Sequence, residues 1–400
     1  MKQKLIYAAL VVCVAAFSGC SSSDDDDWIK PINWDKTMDI AYNSMLFAYQ
    51  LLQENCRNAT SDSNFVISPI SVYQELGGLI CGAKGETQKE LISVTRLPSS
   101  DGVLHDYGFF YTLPSKLAAA DSSVSEKLSN LMWLSDRYSV APSYDSLLTE
   151  AFHMDLMLTP SARAEQSVSG WLTQKTGGAG DLVEYAGDAQ MMLFSAPTFK
   201  AQWSRAFDKS KTKKEQFTCA DGSVVEVDMM NAAVAAKYVK QYGFAMADIE
   251  FGNGAYALRI ILPNHGVSID SVLTNIQKYR YDVIRLWQKY RLEVKLPKFS
   301  VTSSMQLSES LKAMGVKRCF SDSSDFSGIS SDALSLNGMA QQCSISIDEQ
   351  GAGVSESDVE IGEDPMLGLQ DEFFVNRPFL FAVMERSRRV ILLAGRVSSL

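Results

Sequence analysis

Few side chains in this sequence are of types that perform chemistry. Its three histidines, His105, His153 and His265, lie far apart with no metal-ligand spacing, and are read as structural. Gly77 and Gly82 carry the glycine spacing of a phosphate-binding loop, but Ala83 stands where the lysine that contacts the phosphates would follow. No G-x-S-x-G elbow, H-E-x-x-H pair or glycine-rich dinucleotide turn occurs, and the acidic pair Asp371 and Glu372 reads as a solvated face. Neither catalytic residues nor a cofactor or metal site is expected. The 47 acidic against 37 basic residues give a net charge of −10, which repels phosphate backbones and anionic lipid surfaces and argues against a nucleic-acid partner.

The remaining chemistry belongs to sulfur. Lys2 and Lys4 precede an apolar run from Leu5 to Phe17, and Ser18 and Gly19 then lead into Cys20. The run has the form of a secretory signal and is too short to span a bilayer as a stable helix. Ending in Cys, it resembles the lipobox of a bacterial lipoprotein, in which the signal is cut before the Cys and the sulfur carries diacylglycerol. Ser21 to Ser23 and Asp24 to Asp27 follow, a hydrated run with nothing to bury, expected to be a flexible tether. Such a run also resembles the export signal that sends some Gram-negative lipoproteins to the outer face of the outer membrane; the alternative is a solvated spacer. The expectation is an outer-membrane lipoprotein, exposed at the cell surface or extracellular, with the periplasmic face still open and lipid as its sole membrane contact. Five cysteines remain, Cys56, Cys81, Cys219, Cys319 and Cys343, without a ligand spacing. They read as buried free thiols, and spacing gives no disulfide pairing.

These groups must be carried by some scaffold. Residues 1–19 read as signal, 20–34 as lipidated Cys and tether, and 35–400 as one domain without a Pro- or Gly-rich linker or a repeat. Met38, Ala41, Met45, Ala48 and Leu52 fall three or four apart and predict an amphipathic helix. Met191 to Phe199 is apolar on both faces, as a buried central strand would be, whereas Arg291 to Lys295 alternates around Leu292, Val294 and Leu296. Leu307, Leu311 and Met314 followed by Gly315 predict a short helix with a glycine stop. The pattern is α+β with large sheets.

Asn64-Phe65-Val66-Ile67-Ser68-Pro69-Ile70-Ser71-Val72 predicts a strand running into a Ser-Pro helix start, with Gly82-Ala83-Lys84-Gly85-Glu86-Thr87 one helix later. Further on come Phe199-Lys200-Ala201-Gln202-Trp203, Leu296-Pro297-Lys298-Phe299, Asp325-Phe326-Ser327-Gly328-Ile329, Asp348-Glu349-Gln350-Gly351 and Phe373-Phe374-Val375-Asn376-Arg377-Pro378-Phe379-Leu380-Phe381. In order and spacing these segments resemble the serpin family over essentially everything after about residue 36. The resemblance implies a serpin fold, with three β-sheets, eight or nine helices and an exposed reactive-centre loop at about 351–370. It also implies a monomer that supplies no catalytic group. In inhibitory serpins a serine or cysteine protease attacks one bond of the loop and forms an acyl-enzyme. The freed loop then inserts as a strand into the large sheet and distorts the protease. A non-inhibitory serpin, a binding module cleaved without trapping, is the alternative.

Aligned on that pattern, Glu349, Gln350, Gly351, Ala352, Gly353 and Val354 form the hinge of the loop. Counting fourteen residues on from Gly351 puts the scissile bond after Pro365, and counting back from Pro378 puts it after Leu367, so the candidates are Pro365, Met366, Leu367 and Gly368. Met366 and Leu367 are favoured, since their side chains suit chymotrypsin-, elastase- or subtilisin-like pockets. Alternation along an inserted strand turns Ala352 and Val354 inward and then Glu356, Asp358 and Glu360, whose burial is costly. A one-residue bulge near Gly353 would instead turn Ser355, Ser357, Val359 and Ile361 inward. Where the family carries an Asn–His pair between the central strands, this chain has Ser195 and Gln341, a neutral clamp with Ser68 and Ser71 beside it. Lys298 and Glu349 match the pair at the top of that sheet, next to Trp203, and as a partly exposed ion pair would contribute under about 1 kcal/mol.

Overall fold

A computed structural model of the chain describes residues 40–97, 108–178, 189–279, 286–354 and 371–400. The opening stripe winds into α1 (Ile40–Asn58), which buries Met45, Ala48 and Leu52 together with Phe47 and Leu51; Met38 lies outside the described residues. The buried strand β1 (Phe65–Ile67) then runs into α2 (Pro69–Gly82). Ser68 is extended at the junction, and Pro69 opens the helix where its missing N–H has no partner to lose. Gly77 and Gly82 belong to α2 and serve packing: a Cβ on Gly77 would meet the Phe152 ring at 2.9 Å, and one on Gly82 would meet Ile329 at 2.3 Å. Helices α3 (Gly85–Thr95) and α4 (Gly108–Ala120) complete this layer.

The chain next enters the large sheet with β2 (Ser125–Lys127) and β3 (Asn130–Ser135), followed by α5 (Pro142–Ala151), β4 (Met154–Thr159) and α6 (Ala164–Thr176). The apolar run expected as one central strand is two, β5 (Met191–Ser195) and β6 (Thr198–Gln202), broken at Ala196–Pro197. Pro197 has no N–H for a ladder, and the Ala196 N–H turns aside to Ser129 O at 2.8 Å. A second strand system follows with β7 (Lys213–Thr218), β8 (Val224–Gln241), β9 (Phe244–Phe251), β10 (Tyr256–Pro263), α7 (Ile269–Lys278) and β11 (Gln288–Pro297). In β11 Leu292, Val294 and Leu296 face inward, as their alternation predicts. The chain returns to the large sheet through β12 (Phe299–Gln306), α8 (Ser308–Met314), β13 (Leu336–Ile347) and the two-residue β14 (Gly351–Ala352). It closes in the second system with β15 (Asp371–Phe374), β16 (Phe379–Glu385) and β17 (Val390–Val397). Helix α8 stops at Gly315, whose φ of 118° suits a residue without Cβ.

Strand order in the eight-stranded large sheet is β2-β6-β14-β13-β5-β3-β4, with β12 against β13. The nine-stranded system runs β1-β17-β16-β10-β9-β8-β11-β15, with β7 on β8. It comprises two sheets sharing one strand: β8 pairs with β7 and β11 over its first part and with β9 over Lys237–Gln241. Three sheets and, among the described residues, eight α-helices therefore make up the fold. The main core lies between α1, α2 and the two strand systems, and α6 covers the other face of the large sheet through Val168 and Trp171 packed with Trp133 and Phe194.

One buried ion pair ties adjacent strands of the second system to α1. Arg259 on β10 grips Asp248 on β9 with two hydrogen bonds, 2.8 and 2.9 Å, and donates a third to the Tyr49 hydroxyl. Burial disfavours the guanidinium charge, but Asp248 and Tyr49 outweigh that and hold the Arg259 pKa above its ordinary value.

Candidate functional site

The large sheet is zipped in its lower half and parted at its top. Strands β5 and β13 run parallel and pair directly from Leu336 and Met191 up to Gln341 opposite Ser195. Above that point β6 and β13 diverge, and β14 fills the gap, antiparallel to both: Ala352 pairs with Ile347 on one side and Ala201 on the other. Gly351 permits this wedge, because a Cβ there would lie 2.0 Å from Ala201 O and its φ is 150°. Beyond the wedge, Gly353 turns at φ 61° while its N–H still donates to Ser346 O at 2.9 Å. Residues 355–370, with the scissile-bond candidates Pro365, Met366, Leu367 and Gly368, lie outside the described residues, as do Cys20 and His105.

At the fork of the seam the predicted polar group assembles around Gln341. Its amide accepts from the Ser68 N–H at 2.5 Å and donates to Ser68 O at 3.1 Å and to Ser195 Oγ at 2.9 Å; the Ser68 hydroxyl reaches Ser71 at 3.1 Å. One side chain thus joins β13 to β5 and to the start of α2, and all four residues are buried. An amide can do this because it offers donors and an acceptor at once.

At the top, Glu349 and Lys298 pair at 3.0 Å. The pair is less exposed than expected on the acidic side: the Glu349 side chain is 5% exposed and that of Lys298 38%. Thr212 donates to Glu349 Oε1 at 2.8 Å. Burial alone would raise this carboxyl, but its own backbone N–H, Thr212 and Lys298 prevail and hold it below the usual carboxylate range. Trp203 stacks on Phe251 with centroids 4.4 Å apart and donates from Nε1 to Asp348 O at 2.8 Å, so the strand entering the hinge is held from below. Its backbone N–H donates to Gln350 O at 3.1 Å.

Two participants were not found from sequence. Thr212 gives no signal beyond being a hydroxyl in a lysine-rich stretch. Glu75 stands out only as a charged residue in an otherwise uncharged helix, and the structure puts it at 0% exposure under the seam. The five cysteines are free thiols, and burial pushes those of Cys56, Cys81 and Cys319 up to about 12. His153 and His265 stand apart from the seam, and among the described residues no group of three His, Cys, Asp or Glu side chains is placed to hold a metal.

The family model described as "Serpin (serine protease inhibitor)" matches residues 42–400. Among curated proteins, "Serine protease inhibitor 42Dd" of Drosophila melanogaster is 26% identical over 364 residues, covering 88% of this chain and 94% of that protein. "Serpin I2" of Homo sapiens is 26% identical over 375 residues, covering 88% and 90%. Among solved structures, the thermophilic serpin Tengpin in its native state superposes with a TM-score of 0.81 at 21% identity, over 91% of this chain and 96% of that one.

Proposed function

The chain belongs to the serpin family, and from that premise we propose that it is a suicide-substrate inhibitor of serine or cysteine proteases, trapping the acyl-enzyme by inserting its cleaved reactive loop into the large sheet. The protease nucleophile attacks the carbonyl carbon of the loop residue before the scissile bond. The C–N bond breaks, the new amine leaves with a proton, and the loop's amino-terminal part stays bound to the enzyme as the ester of a serine or the thioester of a cysteine. This chain supplies no catalytic group; it supplies a strand and a place for that strand.

The observation that carries the reading is β14. Two residues of the loop's amino-terminal end already lie between β6 and β13, antiparallel to both, directly above a seam that closes at Gln341 and Ser195. Further insertion extends a ladder already begun, adding backbone hydrogen bonds and apolar burial. The hinge residues Glu349 to Val354 serve as the pivot, and Ser68, Ser71, Ser195, Gln341, Lys298 and Trp203 set how readily the sheet parts. The lipobox-like segment ending at Cys20 supports anchoring at the outer membrane, with the inhibitor monomeric and facing external proteases.

The test is incubation with chymotrypsin, elastase and subtilisin, then denaturing gels and mass spectrometry of the released carboxy-terminal peptide. An SDS-stable adduct with cleavage after Met366 or Leu367 is expected. Clean cleavage with full protease activity retained would favour the second reading, a serpin that binds partners without trapping. The feature favouring that reading is the row Glu356, Asp358 and Glu360, which an unbulged ladder would bury.

A further inference from the structure

The seam between β5 and β13 is neutral by its clamp residues, yet a carboxyl lies beneath it. Glu75, in the middle of α2, is wholly buried, and neither of its oxygens makes a hydrogen bond of ordinary geometry, the Ser195 hydroxyl being the one donor that bears on it. From β5 it faces the Ser195 hydroxyl and from β13 the Cys343 thiol, while Ser71 precedes it by one turn of its own helix. Gln74 beside it is committed elsewhere, to Asn130 and Phe152 O. No charged side chain among the described residues bears on it. Burial in that position disfavours the charged carboxylate, and a carboxyl without a hydrogen-bond partner costs free energy as long as the seam is closed.

We propose that Glu75 is a positioning residue for strand insertion: it acts through the β5–β13 seam, which its unpartnered carboxyl biases toward parting, because separation of the strands admits water or backbone donors to it. The inference rests on the reading that this seam opens, and it adds the group that sets how easily it does so. Burial raises the Glu75 pKa well above the carboxylate range, with the Ser195 hydroxyl opposing weakly. The closed seam therefore binds the Glu75 proton more tightly than the open seam does, so rising pH favours opening. Cys343, itself raised by burial, titrates too high to produce this effect near neutrality.

Amide hydrogen exchange of β5 and β13 in the intact protein, corrected for intrinsic pH dependence, tests this between pH 6 and pH 8. Opening of the seam in the unaltered protein should increase with pH by up to about tenfold per unit, the limit for release of one proton. Glu75→Gln should abolish that dependence, and Glu75→Leu should in addition slow exchange at both pH values. Parallel pH profiles for the unaltered and Gln proteins, or faster exchange in the Leu protein, would overturn the proposal. If Leu proves too bulky to fold, Glu75→Gln with the exchange profile decides alone. Protease adducts on gels are scored separately: pH-dependent opening without any adduct would defeat the inhibitory reading and leave the role of Glu75 standing.

Discussion

Gln341 on β13 donates from Nε2 to the hydroxyl of Ser195 on β5 at 2.9 Å, at the point where the two strands cease to pair directly. The same amide satisfies both the N–H and the carbonyl of Ser68. Gln341→Leu keeps the volume and removes all three bonds, leaving the Ser68 N–H buried without its partner, while Ser68 O keeps the Val72 N–H at 3.3 Å. The expected loss is about 2–4 kcal/mol in urea unfolding, since an orphaned group costs roughly 1–3 kcal/mol and the lost bond to Ser195 about 1 kcal/mol. Ser195→Ala, which leaves the Ser68 bonds intact, should cost about 1 kcal/mol. Equal losses for the two variants would mean that the amide does not hold α2 to the sheet.

Gly351→Ala should unseat β14. The added methyl would meet Ala201 O and strain a backbone at φ 150°, so the two-residue wedge has to leave the gap between β6 and β13. Protease titration should then show more inhibitor consumed per enzyme trapped, with cleaved inhibitor accumulating on gels. An unchanged stoichiometry would show that insertion does not begin from this wedge.

Much of this arrangement is legible in the chain and some is not, for physical reasons. Leu292, Val294 and Leu296 alternate because one face of β11 meets the core, and Gly315 ends α8 because its φ of 118° suits glycine. The break at Pro197 was equally present in the sequence, but an apolar run masks it: hydrophobicity reports burial, which continues across the break, and not ladder pairing, which stops there. Gln341 and Ser195 emerged only through the family resemblance, since nothing local tells a seam glutamine from a surface one. Glu75 stayed hidden because α2 is buried on nearly all sides, so no polar face marks where an acid would point. Arg259 and Asp248 meet only through the register of β9 and β10, which no local pattern encodes.

That pair gives a stability prediction. Asp248→Asn leaves the guanidinium of Arg259 buried without its counter-charge and should cost about 3–5 kcal/mol by chemical denaturation. Replacing both, with Asp248→Leu and Arg259→Met, should cost less than the single change, because no uncompensated charge remains. A larger loss in the double variant would assign the effect to packing, including the guanidinium stacked 4.7 Å over the Trp287 ring.

The Lys298–Glu349 pair predicts acid sensitivity. Because folding lowers the Glu349 pKa, the unfolded chain takes up its proton first as pH falls. The stability due to ionised Glu349 is therefore complete above the ordinary Glu value and is lost as pH drops through the lower folded value. The stability difference between the unaltered protein and Glu349→Gln should be constant near neutrality and shrink between about pH 5 and pH 3. A constant difference over that whole range would mean that it does not arise from the ionised carboxylate and its pairing with Lys298.

The last prediction concerns the register in which the loop would enter. Extending the observed pairing of Ala352 with Ile347 without a bulge sets Val354 opposite Ile345 and then Glu356, Asp358 and Glu360 opposite Cys343, Gln341 and Met339, all on the buried face of β13. Three carboxylates there would oppose insertion by several kcal/mol each or would have to be protonated. Gly353 offers an escape, since its φ of 61° is the left-handed geometry that a bulge of this kind requires. One residue slipped at that point brings Ser355, Ser357, Val359 and Ile361 inward and turns the acids to the opposite face, with Glu356 and Asp358 beside the exposed Ser344 and the half-buried Gln342, and Glu360 beside Ala340 under α6. The double change Glu356→Gln, Asp358→Asn should then leave the fraction of protease trapped at pH 8 within about twofold, those two acids being solvated in the inserted state. Gly353→Val, which disfavours the positive φ, should reduce trapping sharply. If the double change instead raises trapping severalfold at pH 8 and has no effect at pH 5, the strand enters unbulged and the carboxylates are what limit it.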